Sequence, residues 1–190
     1  VIQPSIQSGC SAVFSKTNVI TKMKFPVSVL PATVCAKEFF NHGCMLLITF
    51  ITLFVCGYRP QLYWIGMIYY AVCAFAFVES VSLILSVLTM LWRDVRKLIT
   101  SLMRMLMYFS PVIWECHFGA GVPHNELLNT IMKLNPVYYI VNGYRESIFY
   151  CRTFLDHPLQ TIYFWGIVVL LFVIGCSLMY KFKTKFIDMI

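Results

Sequence analysis

The chain has 190 residues, of which 59% are hydrophobic and 12% charged, with a mean hydropathy of +0.76 and a formal net charge of +7. Soluble domains carry about 25% charged residues, so this composition excludes an ordinary water-soluble fold and points to a membrane protein. The basic residues fall in short groups between apolar runs. That excludes a nucleic-acid-binding stripe and suits anionic headgroups and the setting of topology.

Residues 1–14 are too short and polar to span a membrane and read as the tail of a truncated helix. The sequence opens Val1-Ile2-Gln3-Pro4, with no initiator Met and no basic leader followed by a cleavage site, so the later part of a longer protein is expected. Residues 15–31 carry Lys16, Lys22 and Lys24, then Phe25-Pro26 and Leu30-Pro31. Thr17 or Asn18 can cap a short helix there, and each proline restricts the residue before it. A first span is expected at 32–56. Its apolar core, "GCMLLITFITLFVC", is shorter than the roughly 20 residues a span needs, so Lys37, Glu38, Asn41 and His42 must occupy its first turns and face protein or the interface.

"GYRPQLY" (57–63) reads as a tight turn, and 64–91 is the clearest span, bounded by Trp64 and Trp92 as interfacial rings. "RDVRK" (93–97) is a basic turn. It is followed by a short third span at 98–114 that holds Arg104 and ends near Pro111. Residues 115–158 are too polar to cross. They read as two short amphipathic helices, 125–134 and 136–150, broken at Asn135-Pro136, the second rich in aromatic residues and dipping into an interface. A last span at 159–180 precedes the basic "KFKTKF". The stretches 16–24, 93–97 and 181–185 hold three Lys or Arg each, against one in 57–63 and three spread over 115–158. The positive-inside rule then places the first three in the cytoplasm and gives four complete spans with both ends inside.

Glu79 lies near the middle of the 64–91 span, where a carboxylate is costly; it reads either as a transport or gating group or as a helix-packing hydrogen-bond partner. Arg104 either snorkels or meets a substrate phosphate or a partner acid. Asp94, set between Arg93 and Arg96, either caps the next helix or binds a partner. Tyr138, Tyr139, Tyr144, Phe149 and Tyr150 form either a sugar-stacking rim or an interfacial anchor. The eight cysteines include no CxxC and no metal-like spacing with the four histidines; Cys116 and Cys151, both in the outer segment, could pair. There is no Gly-rich phosphate loop, no G-x-S-x-G and no H-E-x-x-H. No catalytic, metal or cofactor-binding residue is therefore expected. A permease and a membrane scaffold both stay open, and a membrane transferase would need clustered polar residues the sequence lacks.

"NVITKMKFPVSVLP", "LWRDVRKL" and "LNPVYYIVNGYRESIF", in that order, resemble the permease subunit of ABC-2-type exporters, in particular the branch exporting O-antigen, wall teichoic acid and other polysaccharides. The likeness covers essentially the whole chain. It implies an all-α integral membrane domain of the ABC-2 (type V exporter-like) kind in the bacterial cytoplasmic (inner) membrane. Four complete spans would be joined by a coupling helix and outer re-entrant helices. The family's N-terminal amphipathic helix, first span and most of the second are expected to be missing. The implied partners are a second copy of the permease, membrane lipids, a lipid-linked glycan and a cytoplasmic ABC ATPase subunit, which carries the ATP and magnesium; no nucleic acid is expected. The coupling helix maps to Ser15–Lys24, so Asn18, Ile20, Lys22 and Lys24, with Arg93 and Asp94 of the inner turn, are expected to meet the ATPase. Glu79, Arg104, Tyr138, Tyr139 and Tyr144 are expected along the conduit or exit. The alternatives are an ABC-2 drug or small-lipid exporter permease and a non-transporting membrane scaffold fragment.

Overall fold

In the computed structural model, residues 2–12, 29–58, 62–92, 94–109, 130, 132–150 and 152–188 are described, and among them there are helices and turns but no strand. Helix α1 (Ile2–Cys10) is followed by α2 (Val29–Val55) and a 3-10 turn (Leu62–Trp64) that leads into α3 (Ile65–Leu91). Then come α4 (Val95–Phe109), α5 (Pro136–Arg145) with a π-turn at Glu146–Tyr150, a 3-10 turn (Phe154–Asp156) and α6 (Pro158–Asp188).

Three of these helices, α2, α3 and α6, are long and apolar enough to cross a membrane. At 1.5 Å per residue the 27 residues of α2 and of α3 extend about 40 Å. They coincide with three of the four expected spans, but their ends differ. The expected break at Leu30-Pro31 is absent, because α2 begins at Val29 and takes Pro31 into its first turn. Amide groups there have no intrahelical acceptor, so the missing N–H of proline is tolerated. At the other end, α6 runs past Tyr180 and carries the basic tail with it. Lysine is a good helix former and suits the negative end of the helix dipole. The remaining expected span, 98–114, is described as far as Phe109 within α4 and lies outside the described residues beyond it. The 15 residues of α4 extend about 22 Å and are amphipathic: Ile99 is buried, while Leu98, Leu102 and Met105 form an exposed apolar stripe.

The expected break between the two short helices is present. Residues 132–134 are helical, Asn135 is extended, and its side chain accepts from the Val137 amide at 2.9 Å while Pro136 opens α5. Both features start helices: the first because it satisfies an orphan amide, the second because its φ is already helical.

The chain divides into two compact units, Val1–Pro60 with Ala74–Ser101 and Val168–Ile190, and Gln61–Cys73 with Leu102–Ile167. In the first, Leu30, Leu83, Val87 and Met179 form a core flanked by Met90, Leu91, Leu178 and Phe182. Small residues let the helices approach closely: a Cβ on Gly9 would lie 2.6 Å from Ser82 Cβ, and one on Gly175 would lie 2.9 Å from Leu83 Cβ. Three buried hydroxyls of α3 are satisfied within their own helix: Ser80 donates to the Ala76 carbonyl at 2.7 Å, Ser86 to the Leu83 carbonyl at 2.9 Å and Thr89 to the Leu85 carbonyl at 2.7 Å. The later part of α2 instead exposes Met45, Leu47, Ile48, Ile51 and Phe54, a face suited to hydrocarbon rather than water.

Candidate functional site

The second unit is organised around aromatic rings. Tyr69 and Tyr70 come from α3, Tyr139 and Tyr144 from α5, and Phe164 and Trp165 from the first turns of α6. The residues of α5 that turn inward are Tyr139, Ile140 and Gly143, with Ser147 of the π-turn below them, a helical face at steps of one, three and four. Tyr139 is 6% exposed and stacks on Phe164 with ring centroids 4.8 Å apart. A buried phenol needs partners for its hydroxyl. That of Tyr139 lies 2.8 Å from Thr161 Oγ1 and 3.4 Å from the Tyr69 hydroxyl. Trp165 Nε1 donates to the same Tyr69 oxygen at 2.9 Å, and the Tyr69 ring stacks on Phe154 at 4.2 Å. Tyr70 meets Tyr139 edge-on at 5.5 Å and lies 6.1 Å from Tyr144. Gly143 permits this approach, since a Cβ there would clash with the Cδ1, Cε1 and Cζ atoms of the Tyr70 ring.

The five rings expected to form a rim are therefore not equivalent. Tyr139 is an interior residue, Tyr138 and Tyr144 are half-buried, and Phe149 and Tyr150 at the end of the π-turn are exposed. Burial pushes the Tyr144 hydroxyl above the usual phenol range. Sequence reasoning missed Tyr69, Thr161 and Trp165. The available signal was their polar atoms, set one to two turns inside otherwise apolar helices, where such atoms need partners. At the polar edge of the unit, Glu146 accepts from Asn142 Nδ2 at 2.9 Å. The Ser147 hydroxyl is enclosed beside Gly66 without a hydrogen-bond partner.

In the first unit, Glu79 is half-buried on α3 and its carboxyl meets the Cys35 thiol; its Oε2 is enclosed without a hydrogen-bond partner. Cys35 in turn points at Ser82 Oγ, 3.4 Å away. Glu38 accepts from Ser8 Oγ at 3.4 Å, which turns one of the polar residues of α2 toward α1, while Lys37 and Asn41 stay exposed. Glu79 thus belongs to a polar contact among helices, and the aromatic residues belong to the other unit. Arg104 is exposed on α4. Asp94 occupies the cap position of that helix: its carbonyl accepts from the Leu98 amide at 3.2 Å. Its carboxylate, 4.0 Å from Lys97 Nζ, is 92% exposed, a geometry in which an ion pair adds little. Asn18, Ile20, Lys22, Lys24 and Arg93, like Cys116 and Cys151, lie outside the described residues. Among the described residues no group of three His, Cys, Asp or Glu is placed to hold a metal ion.

Comparison with known proteins gives a family model, ABC-2 type transporter, matching residues 4–149. The chain is similar to an O-antigen export system permease protein RfbA of Klebsiella pneumoniae, 27% identical over 187 residues, which cover 96% of this chain and 69% of the relative. A second protein of that name from the same organism is 25% identical over 187 residues, with the same coverage. One from Myxococcus xanthus is 22% identical over 167 residues, covering 87% of this chain and 63% of the relative.

Proposed function

This chain belongs to the ABC-2 type transporter family, and from that premise we propose that it is the permease subunit of an ATP-driven exporter. The cargo in this reading is a polysaccharide or lipid-linked glycopolymer, of the O-antigen or teichoic-acid type, moved across the bacterial cytoplasmic membrane. Family membership makes the chain a membrane transport subunit rather than an enzyme, one that works with an ABC ATPase subunit. The observation that carries the polysaccharide reading is the similarity, over 87–96% of this chain, to three permeases named for O-antigen export.

The parts then take these roles. ATP and magnesium are handled by the ATPase, and a second copy of the permease completes the conduit. Asn18, Ile20, Lys22 and Lys24 seat a coupling helix on the ATPase, with Arg93 and Asp94 beside it; the exposed Asp94 carboxylate supports a contact there. The hairpin centred on Asn135-Pro136 shapes the outer exit. In this arrangement Tyr138 and Tyr144 are the residues of α5 able to meet sugar, since aromatic faces offer contact without net charge, while Tyr139 holds the hairpin in place. Glu79 and Arg104 act on the path through the membrane.

The deciding experiment is reconstitution of the full-length permease with its ATPase in proteoliposomes carrying a fluorescent lipid-linked glycan. ATP-dependent transfer of the glycan to the opposite leaflet is expected. A complex that hydrolyses ATP and moves drugs or short lipids while leaving the glycan in place would favour the drug or small-lipid exporter.

A further inference from the structure

The polar atoms at the centre of the second unit form a series of contacts that runs in one direction. A hydroxyl carries one hydrogen and two lone pairs, an indole N–H only donates and a carbonyl only accepts. Thr161 Oγ1 gives its hydrogen to the carbonyls of Phe154 at 3.2 Å and His157 at 3.1 Å. Toward Tyr139, 2.8 Å away, it is therefore the acceptor, and the Tyr139 hydroxyl donates. With that hydrogen committed, Tyr139 accepts from Tyr69 across a longer step of 3.4 Å, and Tyr69 accepts from Trp165 Nε1 at 2.9 Å. The series thus leaves α6 at Trp165, crosses α3 and α5, and returns to the first turn of α6. Every hydrogen in it has an acceptor, so the relay is complete within the protein and is not itself a sugar site.

These contacts act where ring stacking does not. Tyr139 stacks on Phe164 at an interplanar angle of 26°, but aromatic pairs are favourable at centroid separations from about 4.5 to 7 Å. Stacking keeps α5 near α6 without setting its rotation. Hydrogen bonds weaken steeply away from their preferred distance and angle, so the relay sets that rotation. The consequence falls on the neighbours of Tyr139. Tyr138 stands one helical step away and Tyr144 five residues on, both half-buried. A helix with its side chains is about 10–12 Å across, so a rotation of about 20° carries a ring at its edge by about 2 Å. That is more than the spread of ordinary hydrogen-bond distances.

We infer that Tyr69, Thr161 and Trp165 are positioning residues for export, acting through Tyr139 to fix the rotation of α5 and with it the presentation of Tyr138 and Tyr144. What those two rings meet rests on the export reading; the fixed rotation rests on the relay alone.

The test sets hydroxyl against shape at Thr161, in the full-length permease with its ATPase in proteoliposomes carrying a fluorescent lipid-linked glycan. Thr161→Val keeps the shape and removes the hydroxyl, whereas Thr161→Ser keeps the hydroxyl and removes a methyl group. Thr161→Val and Tyr139→Phe should each raise the KM for glycan about three- to tenfold, the worth of one buried hydrogen bond. The change belongs in KM rather than kcat, because the presentation of the rings is altered and not the stroke. Thr161→Ser should match the parent, and the variant carrying both Thr161→Val and Tyr139→Phe should be no worse than either alone. In a Tyr138→Ala, Tyr144→Ala background Thr161→Val should add nothing. Loss of packing alone gives the opposite order of valine and serine. That order, or a Thr161→Val effect that persists without the two rings, overturns the proposal. A second readout needs no transport. Spin labels at Phe149→Cys and Leu159→Cys, both exposed, in a cysteine-free form of the same complex should show a distance distribution broadened by Thr161→Val and restored by Thr161→Ser. A complex that moves no glycan overturns the export reading, and the labels then judge the relay: a distribution unchanged by Thr161→Val removes it.

Discussion

Gly143 and Gly43 illustrate how much a single position depends on its surroundings. A methyl group at Gly143 collides with the Tyr70 ring, which is itself wedged against Tyr139, whereas nothing lies within 4 Å of a Cβ at Gly43. Gly143→Ala should destabilise the protein by about 1–3 kcal/mol through overpacking, and Gly43→Ala, inside α2 with open space around it, should stabilise it by about 0.5–1 kcal/mol through helix propensity. Thermal unfolding of the purified permease in detergent compares the two; equal melting temperatures would mean that the ring cluster is not packed as described. The same scale shows what sequence reasoning reached. Asn135-Pro136 could be read as a helix start because cap and proline act locally. The division of labour between Tyr138 and Tyr139 was available in the inward face at Tyr139, Ile140, Gly143 and Ser147. It was hidden because a run of tyrosines reads as one chemical type, and only the 100° step between neighbours separates the half-buried Tyr138 from the buried Tyr139.

At the scale of elements, the spans were legible because long apolar runs dominate every other signal, and their ends were not. Pro31 marks the start of α2 rather than a break before it, and the lysines after Tyr180 prolong a helix rather than end it. The π-turn had no signal at all, since its residues continue the α5 pattern and the extra residue per turn arises from packing. Between α2 and α3, the turn at Cys56–Gly57 bears on topology. Gly57 has a φ of 86°, which favours glycine, and the adjacent Cys56 is exposed. The lysine and arginine distribution puts this turn outside. A permease retaining Cys56 alone should therefore react with a membrane-impermeant maleimide in intact cells, and one retaining a single cysteine at Asn18 should react only after the inner face is opened. The reverse pattern would invert the topology.

For the whole molecule, three short motifs in order were enough to indicate the family, which the match over residues 4–149 bears out. Composition alone indicated only a membrane protein, since apolar runs and scattered basic groups are common to many membrane folds. If the segment around Asn18 and Ile20 transmits force from the ATPase, replacing both with bulky charged residues should leave ATP hydrolysis running while export falls, or should prevent assembly. Parallel assays of hydrolysis, transport and complex formation distinguish these results from full transport by an intact complex, which would remove the coupling role. The lengths of the membrane helices carry a last consequence. At about 40 Å, the almost wholly apolar α3 exceeds a hydrocarbon core of about 30 Å, so it must tilt, protrude or draw the surrounding lipid thicker. Each adjustment costs a fraction of a kcal/mol per ångström of mismatch. Bilayer thickness thereby becomes a control variable: in a series of phosphatidylcholines of increasing acyl length, the reconstituted complex should unfold at progressively higher temperature until lipid and helix lengths match, and then level off.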